Sequence, residues 1–398
     1  MTSSRKIGAT SKISRRGVLR AAGTLGVGAA AVALLARPTS YAIAGNATKV
    51  RLSWTEFAAC HSPIAFALSK GIYARHDLDI ELYYQGASGQ TLIQSIATNK
   101  TDAGAGLLYD WIKPLEQGLD VKLFVGSHGG CTRLLASKAS GVTTLEGLKG
   151  KTIVSYDVAS PPKHSFQVAL AKAGLDPEND VNWLNVPFDL VGETVGKGQA
   201  DALAHLDPWA YSHKKKFDLV EVANTQTGSF EGAVCCVLGV NSAFLDANKD
   251  AIRRLAEADI EIHEYAAAHP DEVAKWFVDN LNPGFPFEDI RDEIASWVLH
   301  NHPVGKDLQD QVKHAAADLS LIKVLDPTTD PAELAQRVTV DIRPDGCGDE
   351  RSDRRGRRRK ECFFRFCRAG VEARALCRLG LAARCHCHDC LPRCRSVG

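Results

Sequence analysis

The chain reads as an α/β protein built as a two-lobed clamshell, with mostly parallel sheets and a helical C-terminal part. Three observations predict it. Short apolar strands alternate singly with helices, which implies crossover connections. The alternation restarts near residue 150, and beyond residue 249 only helical periodicity remains. In order, Val50–Trp54 reads as a strand and Ser62–Arg75 as a helix with apolar Ile64, Ala67, Leu68 and Ile72. Leu78–Tyr84 alternates polar and apolar side chains, as a strand does. A helix over Ser88–Thr98 places Leu92, Ile93 and Ile96 on one face. Strands Ala103–Leu107 and Val121–Val125 flank a helix over Tyr109–Gln117. The restart gives strands Thr152–Ser155, Val181–Val186, Asp201–His205 and Leu219–Val222. Between them lie helices from Pro161 to Ala173, Val191 to Gly196 and Pro208 to Lys216. Ala233–Val240 is a strand expected to return to the first lobe. Helices over Lys249–Ala268, Asp271–Leu281, Phe287–His300 and Lys306–Ile322 complete the body. The expected division is residues 45–134 for the first lobe, 135–237 for the second, and 238–344 for the helical remainder of the first.

A formal charge of +1 conceals three segments. Residues 1–44 carry +7, residues 345–398 another +7, and the body between them −13. An acidic body argues against nucleic acid or an anionic membrane as partner.

Residues 1–44 hold seven Lys or Arg and no Asp or Glu. Arg15-Arg16 precedes an apolar run from Ala21 to Leu35, and Ala42-Ile43-Ala44 offers an A-x-A cleavage site. This is the pattern of a twin-arginine export signal. The run is shorter than the roughly 20 apolar residues of a membrane span. Export to the periplasm is expected, with no membrane insertion after cleavage. From Asp345 onward the composition shifts to Arg and Cys, with eight of the chain's twelve cysteines. Cys385, Cys387, Cys390 and Cys394 with His386 and His388 are metal-ligand types, but their spacing matches no familiar finger. The segment reads instead as disordered or frame-shifted text, since such charge density does not build a core.

Several phrases of the body are those of a known family. They include Cys60-His61-Ser62-Pro63-Ile64-Ala65, Lys70-Gly71-Ile72-Tyr73, His76-Asp77-Leu78, Leu145-Glu146-Gly147-Leu148-Lys149-Gly150-Lys151, Gly198-Gln199-Ala200-Asp201-Ala202 and Asp207-Pro208-Trp209. The body resembles the periplasmic substrate-binding proteins of nitrate/sulfonate/taurine-type ABC transporters from about Lys49 to Ile342. The resemblance implies a type II periplasmic-binding-protein-like fold and a monomeric, non-enzymatic receptor. Such a receptor captures a small anion (nitrate, sulfonate, taurine or similar) between its lobes and delivers it to a membrane permease and its ATPase. It implies no cofactor and no metal.

Ligands of open parallel sheets gather beyond the carboxyl ends of strands, where helix N-termini offer free N–H groups. Cys60, His61 and Ser62 follow the first strand, Ser88 and Gly89 the second, and His128, Gly130 and Cys131 the last of the first lobe. Ser160 precedes the first helix of the second lobe. Each is a candidate ligand contact, although Ser62 and Ser88 serve equally as helix N-caps. Asp207 could cap the helix that Trp209 opens, with Trp209 as an aromatic wall; Tyr109 is a second candidate wall.

The body cysteines Cys60, Cys131, Cys235 and Cys236 fall near the expected hinge. They fit a disulfide from Cys131 to Cys235 or Cys236, small apolar packing, or a soft-metal or thiol-ligand site with His61. No G-x-S-x-G, H-E-x-x-H or P-loop is present. A related branch of the family makes the thiamine pyrimidine precursor with a Cys-rich iron motif, of which Cys235-Cys236 is a fragment. That leaves an exported metal- or thiol-binding protein, or a thiamine-precursor-related protein, as alternatives.

Overall fold

The computed structural model describes residues 47–56, 58–84, 89–281 and 284–343. The export signal, Ser88 and the Arg/Cys-rich tail lie outside the described residues. Two five-stranded sheets organise the chain. The first is built from β1 (Thr48–Trp54), β2 (Leu78–Tyr84), β3 (Ala103–Leu107), β4 (Val121–His128) and the late strand β10 (Cys236–Asn241), in the order β2-β1-β3-β10-β4. The second holds β5 (Thr132–Ala136), β6 (Thr152–Ser155), β7 (Asn182–Asn185), β8 (Ala202–Leu206) and β9 (Val220–Asn224), in the order β7-β6-β8-β5-β9.

In each sheet one strand runs against the others. β10 is antiparallel to β3 and β4, and β5 is antiparallel to β8 and β9. Both are strands by which the chain enters a sheet after crossing from the other. The chain crosses at residues 129–131 and again at 225–235. β5 was missed in the sequence because Thr132-Arg133-Leu134-Leu135-Ala136 is short, buried throughout and without alternation.

Helices of the first lobe are α1 (Ser62–Ser69), α2 (Ile72–Arg75), α3 (Gly89–Ala97) and α4 (Leu108–Glu116). The single helix expected over Ser62–Arg75 is two, because Gly71 takes a left-handed φ of 65° and stops the first. The second lobe carries α5 (Pro161–Lys172), α6 (Val191–Gly196) and α7 (Trp209–Lys216). After β10 come α8 (Ser242–Ala247), α9 (Lys249–Ala268), α10 (Pro270–Leu281), α11 (Phe287–Ser296), α12 (Gly305–Leu321) and α13 (Pro331–Val338). The helix expected over Phe287–His300 ends at Ser296, and Val298 instead bridges Gly129. α9 buries Ile252, Leu255, Ile260 and Ile262 in the core of the first lobe, together with Val50, Leu52 and Phe124. α12 and α13 close a second core around Trp111. None of the helices among the described residues is long and apolar enough to cross a membrane.

Two buried ionic devices tie these parts together. His76, at the end of α2, faces Glu261 at 2.8 Å and Glu257 at 3.8 Å, both on α9. Within the second lobe, Arg133 of β5 holds Asp207 through Nε at 2.9 and 3.0 Å and Glu221 through Nη1 at 3.0 Å. Its Nη2 also reaches Ser296 Oγ, and Trp297 Nε1 donates to Asp207 Oδ2. The second lobe is thus fastened to the end of α11.

Burial disfavours the charged His76 ring, but the hydrogen bonds and charges of Glu257 and Glu261 outweigh it and raise its pKa. Glu261 is also opposed by burial, yet His76 and Arg75 hold it below the usual range. The His76 contribution is complete below its unfolded pKa, near 6.5, and fades as pH rises through the raised folded value. The Glu261 contribution is present above its unfolded pKa, near 4.3, and fades as pH falls. His76→Gln is therefore expected to cost about 1.5–3 kcal/mol near pH 5.5–6 and less at alkaline pH. Urea unfolding at several pH values measures this; an equal cost at pH 6 and pH 9 would refute the charged pair. Arg133→Met leaves the Asp207 carboxyl buried without its cation and is expected to cost about 3–5 kcal/mol. Adding Asp207→Leu to that variant should recover part of the loss, as read by the unfolding midpoint.

Candidate functional site

The parallel strands of the first sheet end at Trp54, Tyr84, Leu107 and His128, and antiparallel β10 begins beside them at Cys236. The facing edge of the second sheet ends at Ser155, Asn185, Leu206 and Asn224, with β5 beginning at Thr132. Both crossings lie on these edges. The candidate residues separate into groups when placed on this frame.

Cys60 and His61 form a turn of 3-10 helix after β1, and both are buried. His61, not Ser62, is the N-cap of α1, and it makes no side-chain cap bond. Ser62 Oγ is wholly buried without a partner, so the capping role considered for it does not hold. His61 Nδ1 accepts the Thr55 N–H at 3.3 Å, and its Nε2 is buried and unpartnered. His128 closes β4, fully buried, with Nε2 also unpartnered. Gly130 has a φ of 62°, and a Cβ there would lie 1.9 Å from Gln226 Cγ on the second crossing. Only glycine lets the two crossings approach so closely.

That approach brings four cysteines together. Cys131 Sγ lies 3.2 Å from Cys235 Sγ. The donor atoms of Cys131, Cys235 and Cys236 fall within 4.8 Å of one another, as do those of Cys60, His61 and Cys236. Cys60 thus joins the trio through Cys236, and its thiol is coupled electrostatically to Cys131 and His128. All four are free thiols; Cys60, Cys131 and Cys236 are buried and Cys235 is half-buried. Neighbouring thiols lower the pKa of Cys60 and of Cys235, overcoming burial, and raise that of Cys131. Burial opposes charging of His128, but hydrogen bonding and attraction to Cys60 push it up to about 9. His61 is moved the other way by burial. Behind the cluster, Ser127 Oγ donates to Asp259 at 2.9 Å, and the His263 ring stacks on His128 with centroids 5.9 Å apart.

A second group faces it from the other side. Gly89 opens α3, and a Cβ there would lie 2.1 Å from Asp110 Oδ2, so the carboxyl rests on that helix start. Burial, then the charge of Asp157 on the second lobe, raises Asp110 to about 7. Burial raises Tyr156 too, with Asp110 adding to it. Tyr156 packs on Phe188 and His205 at centroid distances of 4.8 and 5.3 Å. Trp209 meets Phe188 at 4.9 Å and, from the far lobe, Phe285 at 5.5 Å. The sequence reading found Trp209 here but missed Asp110, Tyr156, Phe188, His205 and Phe285. Asp110 had a signal, a carboxylate in the first turn after a strand end; the aromatic residues come from separate loops with none.

Other candidates are occupied elsewhere. Asp207 does not cap α7, whose N-cap is Pro208, and both its oxygens are taken by Arg133 and Trp297. Ser160 is the N-cap residue of α5, but its hydroxyl pairs with Ser155 at 2.9 Å instead of capping. Tyr109 spends its hydroxyl on Asp318 of α12 at 3.0 Å.

Comparisons with known proteins agree with this architecture. The alkanesulfonate-binding protein SsuA of Xanthomonas axonopodis pv. citri, solved with MOPS bound, superposes with a TM-score of 0.61. It is 17% identical and covers 75% of this chain and 100% of its own. The periplasmic nitrate-binding protein NrtA of Synechocystis PCC 6803 gives a TM-score of 0.62 at 14% identity, covering 82% of this chain and 90% of its own. At these identities the likeness is one of fold. By sequence, the nitrate import ATP-binding protein NrtC of Synechocystis is 24% identical over 56% of this chain; the match spans 38% of that protein's length. The NMT1/THI5-like family model matches residues 58–273, more than half of the chain. The chain therefore belongs to the NMT1/THI5-like family and has the α/β two-lobed fold of the nitrate- and sulfonate-type substrate-binding proteins.

Proposed function

We propose that the protein is the solute-binding receptor of an ABC importer, exported to the periplasm, where it takes a small solute between its lobes. It would deliver that solute to a permease–ATPase complex without chemical change. The family model and the likeness to importer-binding proteins support the role. Two crossing segments joining two α/β lobes suit hinge closure around a ligand.

The ligand is read from the cleft. A buried carboxyl at Asp110, opposite Tyr156 and Asp157, is the observation that carries the reading. The loops beyond the strand ends, residues 55–62, 84–90, 107–110, 127–131, 156–160, 186–190 and 207–209, contain no Lys or Arg. The nearby cation, Arg133, is engaged by Asp207 and Glu221. Two acidic residues and an aromatic wall suit a flat nitrogen heterocycle bearing N–H donors, neutral or cationic. The thiamine-precursor kinship considered from the sequence is of this chemistry. A small anion is the second reading, favoured by His128 and by the start of α5, where the Ser160 side chain leaves the helix N–H groups uncapped.

One titration separates them. Thermal shift and calorimetry with aminopyrimidines, nitrate, taurine, alkanesulfonates and bicarbonate are expected to show saturable binding of a heterocycle. A ligand at 100 times its Kd adds about 2.7 kcal/mol of stability. Asp110→Asn should weaken that binding about tenfold or more, equivalent to roughly 1.4 kcal/mol. Saturable binding of nitrate or a sulfonate, with no response to heterocycles and none to Asp110→Asn, would establish the anion instead.

A further inference from the structure

We propose that Cys60, Cys131, Cys235 and Cys236 form a four-thiolate site for a thiophilic divalent ion of the zinc type, placed at the hinge and separate from the solute cleft. The inference stands independently of the ligand reading above.

The geometry is that of a nearly assembled site. A tetrahedral ion with metal–sulfur bonds of about 2.3 Å needs sulfurs about 3.8 Å apart. Cys131 and Cys235 are at 3.2 Å, and with Cys236 they form a trio spanning no more than 4.8 Å. Cys60 meets the set through Cys236, whose sulfur lies within 4.8 Å of its own. Three sulfurs are therefore near the spacing an ion needs, and a rotation of Cys60 toward Cys131 and Cys235 completes the set.

The backbone carrying these sulfurs is held in place. Cys235 N donates to His128 O and Cys235 O accepts from Leu108 N, each at 2.8 Å. Cys131 N donates to Thr225 Oγ1 at 3.2 Å, and Cys131 O accepts from Asp207 N at 2.8 Å. Such fixing lowers the ordering cost of binding. His61 is excluded from the set by its own hydrogen bond. Its Nδ1 lone pair takes the Thr55 N–H, which leaves the ring proton on Nε2 and no lone pair for an ion. His128 Nε2, buried near the cluster and without a partner, can turn an N–H toward a bound thiolate, as outer partners of metal ligands do. Half-buried Cys235 gives the ion a way in.

Binding is balanced by protons alone. Each thiol loses its proton to solvent as its sulfur–metal bond forms, so one divalent ion releases up to four protons and no electron moves. Cys131 lies on the first crossing and Cys235 on the second, while Cys60 belongs to the first lobe beside β1. The ion would bind both crossings to one lobe and so fix the axis about which the other turns.

The test uses the full chain, reduced and kept anaerobic, with cobalt(II) as optical probe and zinc counted by elemental analysis. Eight further cysteines in residues 345–398 also bind metal in principle, so the readout is a difference. Cys131→Ser and Cys236→Ser are each expected to lose one equivalent of ion with its sulfur-to-cobalt absorption, whereas Cys385→Ser with Cys390→Ser keeps it. X-ray absorption of the chain carrying those two tail substitutions, loaded with one equivalent of zinc, should show four sulfur neighbours at about 2.3 Å. Circular dichroism confirms that each variant is folded. Metal uptake unchanged by Cys131→Ser and Cys236→Ser, or fewer than four sulfurs, would overturn the proposal. So would a Cys131–Cys235 disulfide whose reduction restores no uptake.

Discussion

The close approach of the two chain crossings governs the rest of the structure. Gly130 and Gln226 occupy space in which no side-chain carbon could be added to the glycine. With the crossings pressed together, β4 and β10 must be neighbours in one sheet, and β5 and β9 neighbours in the other. The antiparallel entry of β5 and β10 follows, because a chain that leaves one sheet at its carboxyl edge enters the facing sheet at the opposing edge. The same approach places Cys131 against Cys235 and sets both beside the first turn after β1. The hinge and the thiol cluster thus have a common cause.

Much of this frame was legible in the sequence. The span Lys249–Ala268 coincides with α9 because twenty residues of one amphipathic pattern leave little choice of boundary. The break at Gly71 was not read, since a glycine within an apolar periodic run gives no sign of its φ. β5 escaped because a strand buried on both faces has no alternation to display. Its absence from the reading also made the sheets look more parallel than they are. At the site, the rule that ligands gather at strand ends led to His61, Gly89, His128 and Cys131. It could not reveal that Asp207 belongs to Arg133, a pairing across 74 residues. Nor could it assemble Tyr156, Phe188 and Phe285, which come from separate loops and, for Phe285, from the other lobe.

Charge tells a similar story at a different scale. The body carries −13, and the loops at the strand ends carry no Lys or Arg. The nearby cation Arg133 is already committed to Asp207 and Glu221. The field around the site is therefore shaped by buried acids, aromatic faces and helix starts. On the proposed reading, such a site would select by hydrogen-bond pattern and ring shape more than by net attraction.

α12 joins the lobes in another way. Its Asp318 receives the Tyr109 hydroxyl from the first lobe and pairs with Lys172 of the second at 2.7 Å. A contact that links two lobes must break before they part, so it weights the population toward the arrangement in which Lys172 and Asp318 meet. Any molecule that favours that arrangement would find more of it already populated, and its apparent affinity would rise with that fraction.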